Sequence, residues 1–259
     1  MPPRSQGRSR GRGLPIPNKA HGSTGLPADS PAVSETPAED AGPIGDADTV
    51  EPMLSLLLTR HAQSEWNLLG RWQGQQDPPL SAGGRAQAQA AARKSGSFDA
   101  VLSSTLLRAL QTAEIISEAN GIGPVLSDPR WMERNAGGYE GLTRSEIEDR
   151  FPGCLANGTR PPGWEPDDSI VVRVLDVMGE VAERSGGSGD VLVVTHSGVI
   201  YAVEDRLGAE FERIGNMSGR WVHHDGSLWR LGERVVLAPE DTFRQDTFPP
   251  SVGLQDRGA

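Results

Sequence analysis

Lysine is nearly missing from this chain of 259 residues. Only Lys19 and Lys94 are present, so almost all positive charge is arginine. Any anion clamp must then be built from Arg and His. Cysteine is scarcer still. Cys154 stands alone after Pro152-Gly153, which excludes an internal disulfide and a cysteine-based metal centre; a free loop thiol is expected there. No apolar run is long enough to span a membrane, and the longest, Leu54 to Leu58, fits a buried strand. The N-terminus is charged but no apolar stretch follows it, so no signal peptide is expected and a cytoplasmic protein is the default. The formal charge of −10 argues against nucleic-acid binding, which needs a basic footprint. An acidic protein still binds an anionic substrate where a few arginines focus positive potential in one cleft.

Residues 1–52 show no period of 2 or 3.6 and are rich in Pro, Gly, Ser and Ala. Their first part is basic (Arg4, Arg8, Arg10, Arg12, Lys19) and their second acidic (Asp29, Glu35, Glu39, Asp40, Asp46, Asp48). A disordered tail is expected there, and Met53 is an alternative start. Residues 53–239 read as one domain, and 240–259 as a flexible tail. Within the domain, Leu54–Leu58 and Val191–Val194 predict strands buried on both faces, and Ala100–Leu102 and Val125–Leu126 shorter ones. Helices are predicted over Ala82–Lys94 with Ser81 as cap, Leu106–Asn120 stopped by Gly121, Thr143–Arg150, Ser169–Glu183 and Val199–Leu207. The helix over 169–183 is expected to bury a stripe of Val172, Leu175, Val177, Met178 and Val181. A hairpin is expected around Asp225-Gly226, from strands near 219–223 and 227–231.

Strands alternating with helices predict an α/β fold, a three-layer α/β/α sandwich with a mostly parallel central sheet. Ligands of such folds gather past the carboxyl ends of the strands. Those positions are Thr59-Arg60-His61, Ser103-Ser104 and Thr195-His196-Ser197-Gly198, so two histidines should meet at one edge. A histidine placed like His61 can act as base, metal ligand or nucleophile. Its neighbours Arg60, Gln63, Ser64 and Asn67 are donors suited to an oxyanion rather than further metal ligands. Arg108 falls in the first turn of the next helix, where its charge adds to the helix dipole. Arg60, Arg108 and a helix N-terminus together predict a phosphate or carboxylate clamp. His223-His224 is not expected to bind metal, because adjacent strand residues face opposite ways.

Thr59-Arg60-His61-Ala62-Gln63-Ser64-Glu65-Trp66-Asn67 resembles the signature of the histidine phosphatase superfamily, the phosphoglycerate-mutase-like proteins. Four later segments resemble its other motifs in the same order: Asp77–Ala88, Ser103–Ala113, Met132–Gly141 and Val193–Gly198. The resemblance spans about residues 54–235. It implies a phosphoglycerate-mutase-like sandwich and a phosphatase acting on a small phosphorylated metabolite. It also implies that His61 is phosphorylated, that Arg60, Arg108 and His196 bind the phosphoryl group with help from Asn67, and that Glu133 is the proton donor and acceptor. Glu140 is the competing carboxylate. Gln73 and Gly74 fall on the substrate-side loop. Asp77 is expected to cap a loop, and Trp72, Trp131 and Trp164 to pack, one of them at the substrate mouth. No cofactor and no metal are expected, because the arginines supply the positive charge.

The departures from the family are small. Ala62 stands where many members carry Gly, and Gly138-Tyr139 where a charged residue and Trp are common. The insertion and extra basic residues typical of cofactor-dependent mutases are not found, which leans the expectation from mutase to phosphatase. A 2,3-bisphosphoglycerate-dependent mutase and a protein phosphohistidine phosphatase remain the alternatives within enzymes. A catalytically dead binding protein is the alternative outside them. Residues 68–80 and 141–168 are expected to shape specificity. Oligomeric state, a homodimer included, is left open.

Overall fold

A computed structural model describes residues 53–238. The two expected tails, 1–52 and 240–259, lie outside the described residues. In chain order the elements are β1 (Leu54–Arg60), α1 (Glu65–Leu68), α2 (Ala82–Ala92), β2 (Ala100–Ser103), α3 (Leu107–Asn120) and β3 (Leu126–Ser127). They continue with α4 (Arg144–Arg150), α5 (Cys154–Asn157), α6 (Asp167–Arg184), β4 (Gly189–Thr195), α7 (Ser197–Arg206), β5 (Ser218–His224) and β6 (Trp229–Val236). The strands form one sheet in the order β3-β2-β4-β1-β5-β6. The first four run parallel, β5 is antiparallel to β1, and β6, antiparallel to β5, runs in the direction of the first four again.

The pleat explains why the two central strands read as continuous apolar runs. Leu54, Leu56 and Leu58 point to one face with Val191 and Val193, and there they bury Ile170, Val174 and Met178 of α6 and Val199 and Ile200 of α7. Leu57, Leu192 and Val194 point to the other face, where they meet Ala88 and Ala91 of α2 and Ala109 and Ile116 of α3. Helices on both faces of the sheet make the three layers that the alternation predicts. Burying one leucine or valine in such a core is worth roughly 1.5–3 kcal/mol, so strand register is strongly held.

One residue of the expected α6 stripe is misplaced, while Leu175, Val177, Met178 and Val181 face the core. Val172 is 69 % exposed, whereas Ile170, Val174, Val177 and Met178 are the buried residues of α6. Spacings of 4, 7 and 8 from Ile170 follow the 3.6-residue turn, and Val172 lies on the opposite side. Cys154 also departs from expectation, opening the short helix α5 rather than lying in a loop. The histidine pair behaves as the pleat requires: His223 Nδ1 lies 3.1 Å from Ser55 Oγ, and His224 packs on Trp229 instead.

Caps set the helices that carry the site. Ser81 Oγ accepts from Gly84 N at 2.9 Å and starts α2. Gly84 is required there, because a Cβ would overlap the Gln63 carbonyl oxygen. The start of α3 lacks a local cap, since Leu106 offers no side-chain acceptor. Asp77 supplies it from thirty residues away, its Oδ1 accepting from Leu107 N at 2.5 Å. Beyond the strand ends sits a small third cluster of Trp72, Tyr139, Ile147 and Leu155, with Phe151 and Trp164 against it. Tyr139, 1 % exposed, fills the aromatic position that the sequence leaves to it.

Candidate active site

Sheet register brings the two histidines together. Arg60, last in β1, is paired with Thr195, last in β4, and His61 N donates to the Thr195 carbonyl at 2.9 Å. The His61 and His196 rings therefore lie 5.1 Å apart between centroids. The neighbouring strand β2 ends beside them, and Ser104 Oγ lies 2.9 Å from His196 Nε2. Three separate segments thus meet at one sheet edge because the strands they end are adjacent.

The backbone after β1 is held by side chains from three directions. Ala62 N donates to Thr112 Oγ1 of α3, Gln63 N donates to Gln87 Oε1 of α2, and Asn216 Nδ2 donates to the His61 carbonyl at 2.8 Å. Ser64 and Asn67 close a capping box at α1, with Asn67 Oδ1 accepting from Ser64 N at 3.1 Å. That use of the oxygen leaves the Asn67 amide hydrogens for a ligand.

His61 is 2 % exposed, and its tautomer follows from its partners. Nδ1 lies 2.7 Å from the Ala62 carbonyl, which only accepts, so Nδ1 carries the proton. Nε2 then holds a lone pair, and Arg108 Nε donates to it at 3.3 Å. Burial, then Arg108, then Arg60 hold the His61 pKa well below the usual 6.5, so the ring is neutral at pH 7. His196 is shifted the same way, by burial first and then by Arg108 and the neighbouring His61. Ser104 Oγ accepts from Leu106 N and also faces His196 Nε2, as donor or second-lone-pair acceptor according to the His196 tautomer. His196 Nδ1 is a buried atom with no hydrogen-bond partner among the described residues.

The arginines face the same space. Arg60 lies 8 % exposed at the end of β1, its Nη1 donating to the Ile214 carbonyl at 2.9 Å. Arg108 is completely buried, and burial lowers its pKa to about 10, still charged at neutral pH. Its two Nη groups donate to the Gly74 and Gln76 carbonyls at 2.8 Å each. With the Asp77 cap, these bonds fasten the loop of Gln73 and Gly74 to the start of α3. Gln73 Oε1 in turn accepts from Ser64 Oγ at 2.6 Å.

Glu133 enters from the far side. It follows Trp131, which is fully buried and whose carbonyl accepts from Thr195 Oγ1 at 2.8 Å. Its carboxylate accepts from Arg134 N at 2.7 Å, from Gly198 N at 3.2 Å and from Ser197 Oγ at 3.3 Å. Two of these donors belong to the first turn of α7, where the helix dipole favours an anion. Glu140, the competing carboxylate, is spent on structure. It accepts from Gln75 N, Ala136 N and Gln76 Nε2, and so braces the loop that holds Arg108. The cavity is lined by Arg60, His61, Asn67, Gln73, Gly74 and Arg108 on one side and by Glu133, Ser197 and Gly198 on the other. Glu140 and Asp77 do not line it.

A buried neutral imidazole with its lone pair between two arginines and a carboxylate suits in-line attack on phosphorus. The model of the histidine phosphatase superfamily (branch 1) matches residues 56–232. The chain belongs to the histidine phosphatase superfamily. Among its relatives, a metal-independent phosphoserine phosphatase of Arabidopsis thaliana is 29 % identical over 225 residues, covering 82 % of this chain and 90 % of that protein. A glucosyl-3-phosphoglycerate phosphatase of Mycobacterium tuberculosis is 31 % identical over 205 residues, covering 68 % and 92 %. A solved structure of a mycobacterial glucosyl-3-phosphoglycerate phosphatase with VO3 superposes with a TM-score of 0.60 at 29 % identity, over 70 % of this chain and 97 % of that one. A 2,3-bisphosphoglycerate-dependent phosphoglycerate mutase of Methylobacterium radiotolerans is also related, at 33 % identity over 57 % of this chain and 76 % of that protein.

Of the site residues expected from the sequence of this histidine phosphatase, Arg60, His61, Asn67, Gln73, Gly74, Arg108 and Glu133 line the cavity, whereas His196 does not line it and lies fully buried, its ring 5.1 Å from that of His61. Ser104, Ser197 and Gly198, expected at this edge from the strand ends but without a role, contact His196 and Glu133; the residues not expected are Asn216 and the rim residues Tyr201 and Phe211. The Thr-His-Ser-Gly run contains Ser197 and Gly198, but nothing in one sequence tells that they serve Glu133.

Gly198 yields a direct test. A Cβ there would overlap Glu133 Oε1 and displace the carboxylate. Gly198→Ala should lower kcat by about tenfold or more, measured as steady-state phosphate release; an unchanged kcat would detach Glu133 from the reaction.

The buried histidines also predict an acid limb of stability. The folded state resists protonating His61 and His196, whereas the unfolded chain takes those protons below pH 6.5. Stability is therefore full above about pH 6.5 and is lost as pH falls toward the lowered folded values. The loss is at most about 1.4 kcal/mol per pH unit for each histidine. Urea unfolding at pH 8.5, 7.5 and 5.5 should show the midpoint nearly level over the upper interval and falling over the lower one.

Proposed function

We propose that this chain hydrolyses a small phosphomonoester through a phosphohistidine on His61. The observation that carries the reading is the His61 ring itself: neutral, protonated on Nδ1, with Nε2 facing Arg108 in a cavity that also holds Glu133. On this reading Nε2 attacks phosphorus as the ester oxygen leaves on the opposite side. Arg60 and Arg108 stabilise charge on the equatorial oxygens, joined by His196 and the Asn67 amide. The monoanionic form of the ester brings a proton, which the Glu133 carboxylate takes up and passes to the departing alkoxide. Glu133 then takes one from water, and the resulting hydroxide breaks the P–N bond and frees phosphate and His61.

Hydrolysis is favoured over mutase chemistry by the charges beyond the clamp. A bisphosphorylated acid would place further anionic groups near Arg71 and Arg134. Arg71 is already bound by Glu146 at 2.8 Å, and Arg134 is bound by Asp167. The protein phosphohistidine phosphatase alternative asks for a shallow site, whereas residues 142–164 pack with Trp72 and Tyr139 into the cluster above the deeply buried His61. Incubation with 3-phosphoglycerate in the presence of a chelator separates the readings. Free phosphate supports the phosphatase, and 2-phosphoglycerate without free phosphate would make it a mutase.

A further inference from the structure

Past the phosphate clamp the cavity opens into a rim with two aromatic pairs. Trp72 and Trp164 stand 6.1 Å apart between ring centroids, backed by Tyr139. Tyr201 and Phe211 stand 4.9 Å apart, from α7 and the segment after it. Val171 and Ala202 complete an apolar lining. Trp72 is nearly buried and Trp164 carries the Arg134 and Arg160 guanidiniums on its ring, so Tyr201 and Phe211 are the rings left to a ligand; such rings bind flat or ring-shaped groups by stacking and by shedding water.

The rim's charges point the same way. Its two arginines are both engaged by protein groups. Arg71 bonds Glu146 and the Gly141 carbonyl. Arg134 bonds Asp167 and the Glu165 carbonyl, and its guanidinium lies 5.2 Å above the Trp164 ring. Asp167 and Asp205 are carboxylates on the same rim. A carboxylate or second phosphate on the substrate would have to part Arg134 from Asp167 and then sit among like charges. An uncharged ring meets aromatic faces and pays neither cost.

We infer that the site prefers phosphomonoesters of uncharged, ring-bearing alcohols over small anionic esters of the phosphoglycerate kind. This rests on the phosphatase reading and narrows it. The clamp supplies affinity common to every ester, and the rim supplies the difference between them.

The test uses the full chain and esters of primary alcohols, so that the leaving groups are matched. Phosphate release is measured from 2-phenylethyl phosphate, glucose 6-phosphate, ethyl phosphate, phosphoserine and 3-phosphoglycerate. At least one ring ester should exceed both ethyl phosphate and 3-phosphoglycerate by about tenfold or more in kcat/KM. Whichever ring ester leads tells an aromatic ring from a sugar. Equal or better turnover of 3-phosphoglycerate or phosphoserine would overturn the inference and leave the phosphatase reading standing. Release from none of the five would remove both. Two variants test the cause. Phe211→Ala should lower the ratio of the favoured ring ester to ethyl phosphate by about fivefold. Asp167→Asn, at a side chain 53 % exposed, frees Arg134 and should raise 3-phosphoglycerate relative to ethyl phosphate by about threefold. Unchanged ratios in both variants would overturn the inference.

Discussion

His61→Ala should lower kcat for phosphate release by about 10⁴-fold or more, the scale on which covalent catalysts lose function with their nucleophile. No neighbouring group is placed to substitute. His196 lies 5.1 Å away, but its Nε2 is engaged with Ser104. Glu133 is held by three donors at the start of α7. The clamp survives the change, so inhibition by inorganic phosphate should weaken by less than about tenfold, and a kcat effect stands apart from a binding effect. The unmodified protein, quenched during turnover, should hold an acid-labile phosphoenzyme, and the variant should not. Turnover within tenfold of the unmodified protein would remove His61 from the covalent role.

The second large effect belongs to Arg108. Arg108→Lys keeps the charge but should lower kcat/KM by about 10²–10³-fold, the loss typical of one preorganised donor at a charge-developing centre. One guanidinium here spans three partners: His61 Nε2 and the Gly74 and Gln76 carbonyls. An ammonium is a point donor on a flexible stem and cannot hold that planar fork. Losing the bonds to the loop also frees Gln73 and Gly74, so KM should rise along with the fall in kcat. A loss under threefold would mean that Arg60 alone carries the phosphoryl charge. Arg71→Lys offers the contrast. Its partly exposed pair with Glu146 belongs to a class worth only about 0–1 kcal/mol, and the change should be nearly silent.

Local signals made much of this molecule legible. The β1 and β4 runs announced strands buried on both faces, and Ser81, Thr143 and Gly121 marked helix ends where caps are found. The strand-end rule alone places Arg60, His61 and His196 at one edge. What stayed hidden was contact between distant segments. The cap of α3 comes from Asp77, the donors to Glu133 come from α7, and Asn216 reaches back to His61. None of these leaves a period or a dipeptide signature. The rim is half visible in the sequence: one of Trp72, Trp131 and Trp164 is expected at the mouth, and Trp72 and Trp164 both line it, but Tyr201 and Phe211 give no sign of facing the cavity. Val172 was misplaced because an apolar side chain on a helix says nothing of its face until the turn is counted from the right residue.

The strand order has a consequence for how the protein acquires its activity. β1 and β4 are neighbours at the middle of the sheet, yet their first paired residues are Leu54 and Gly189. The chain must be synthesised almost to the end of the fold before β1 finds its parallel partner. Pairings this distant in sequence are late and slow events in folding. A nascent or truncated chain ending before β4 therefore holds His61 and both arginines but no working site, and it leaves a leucine-rich strand with an open edge, the kind of surface that invites aggregation.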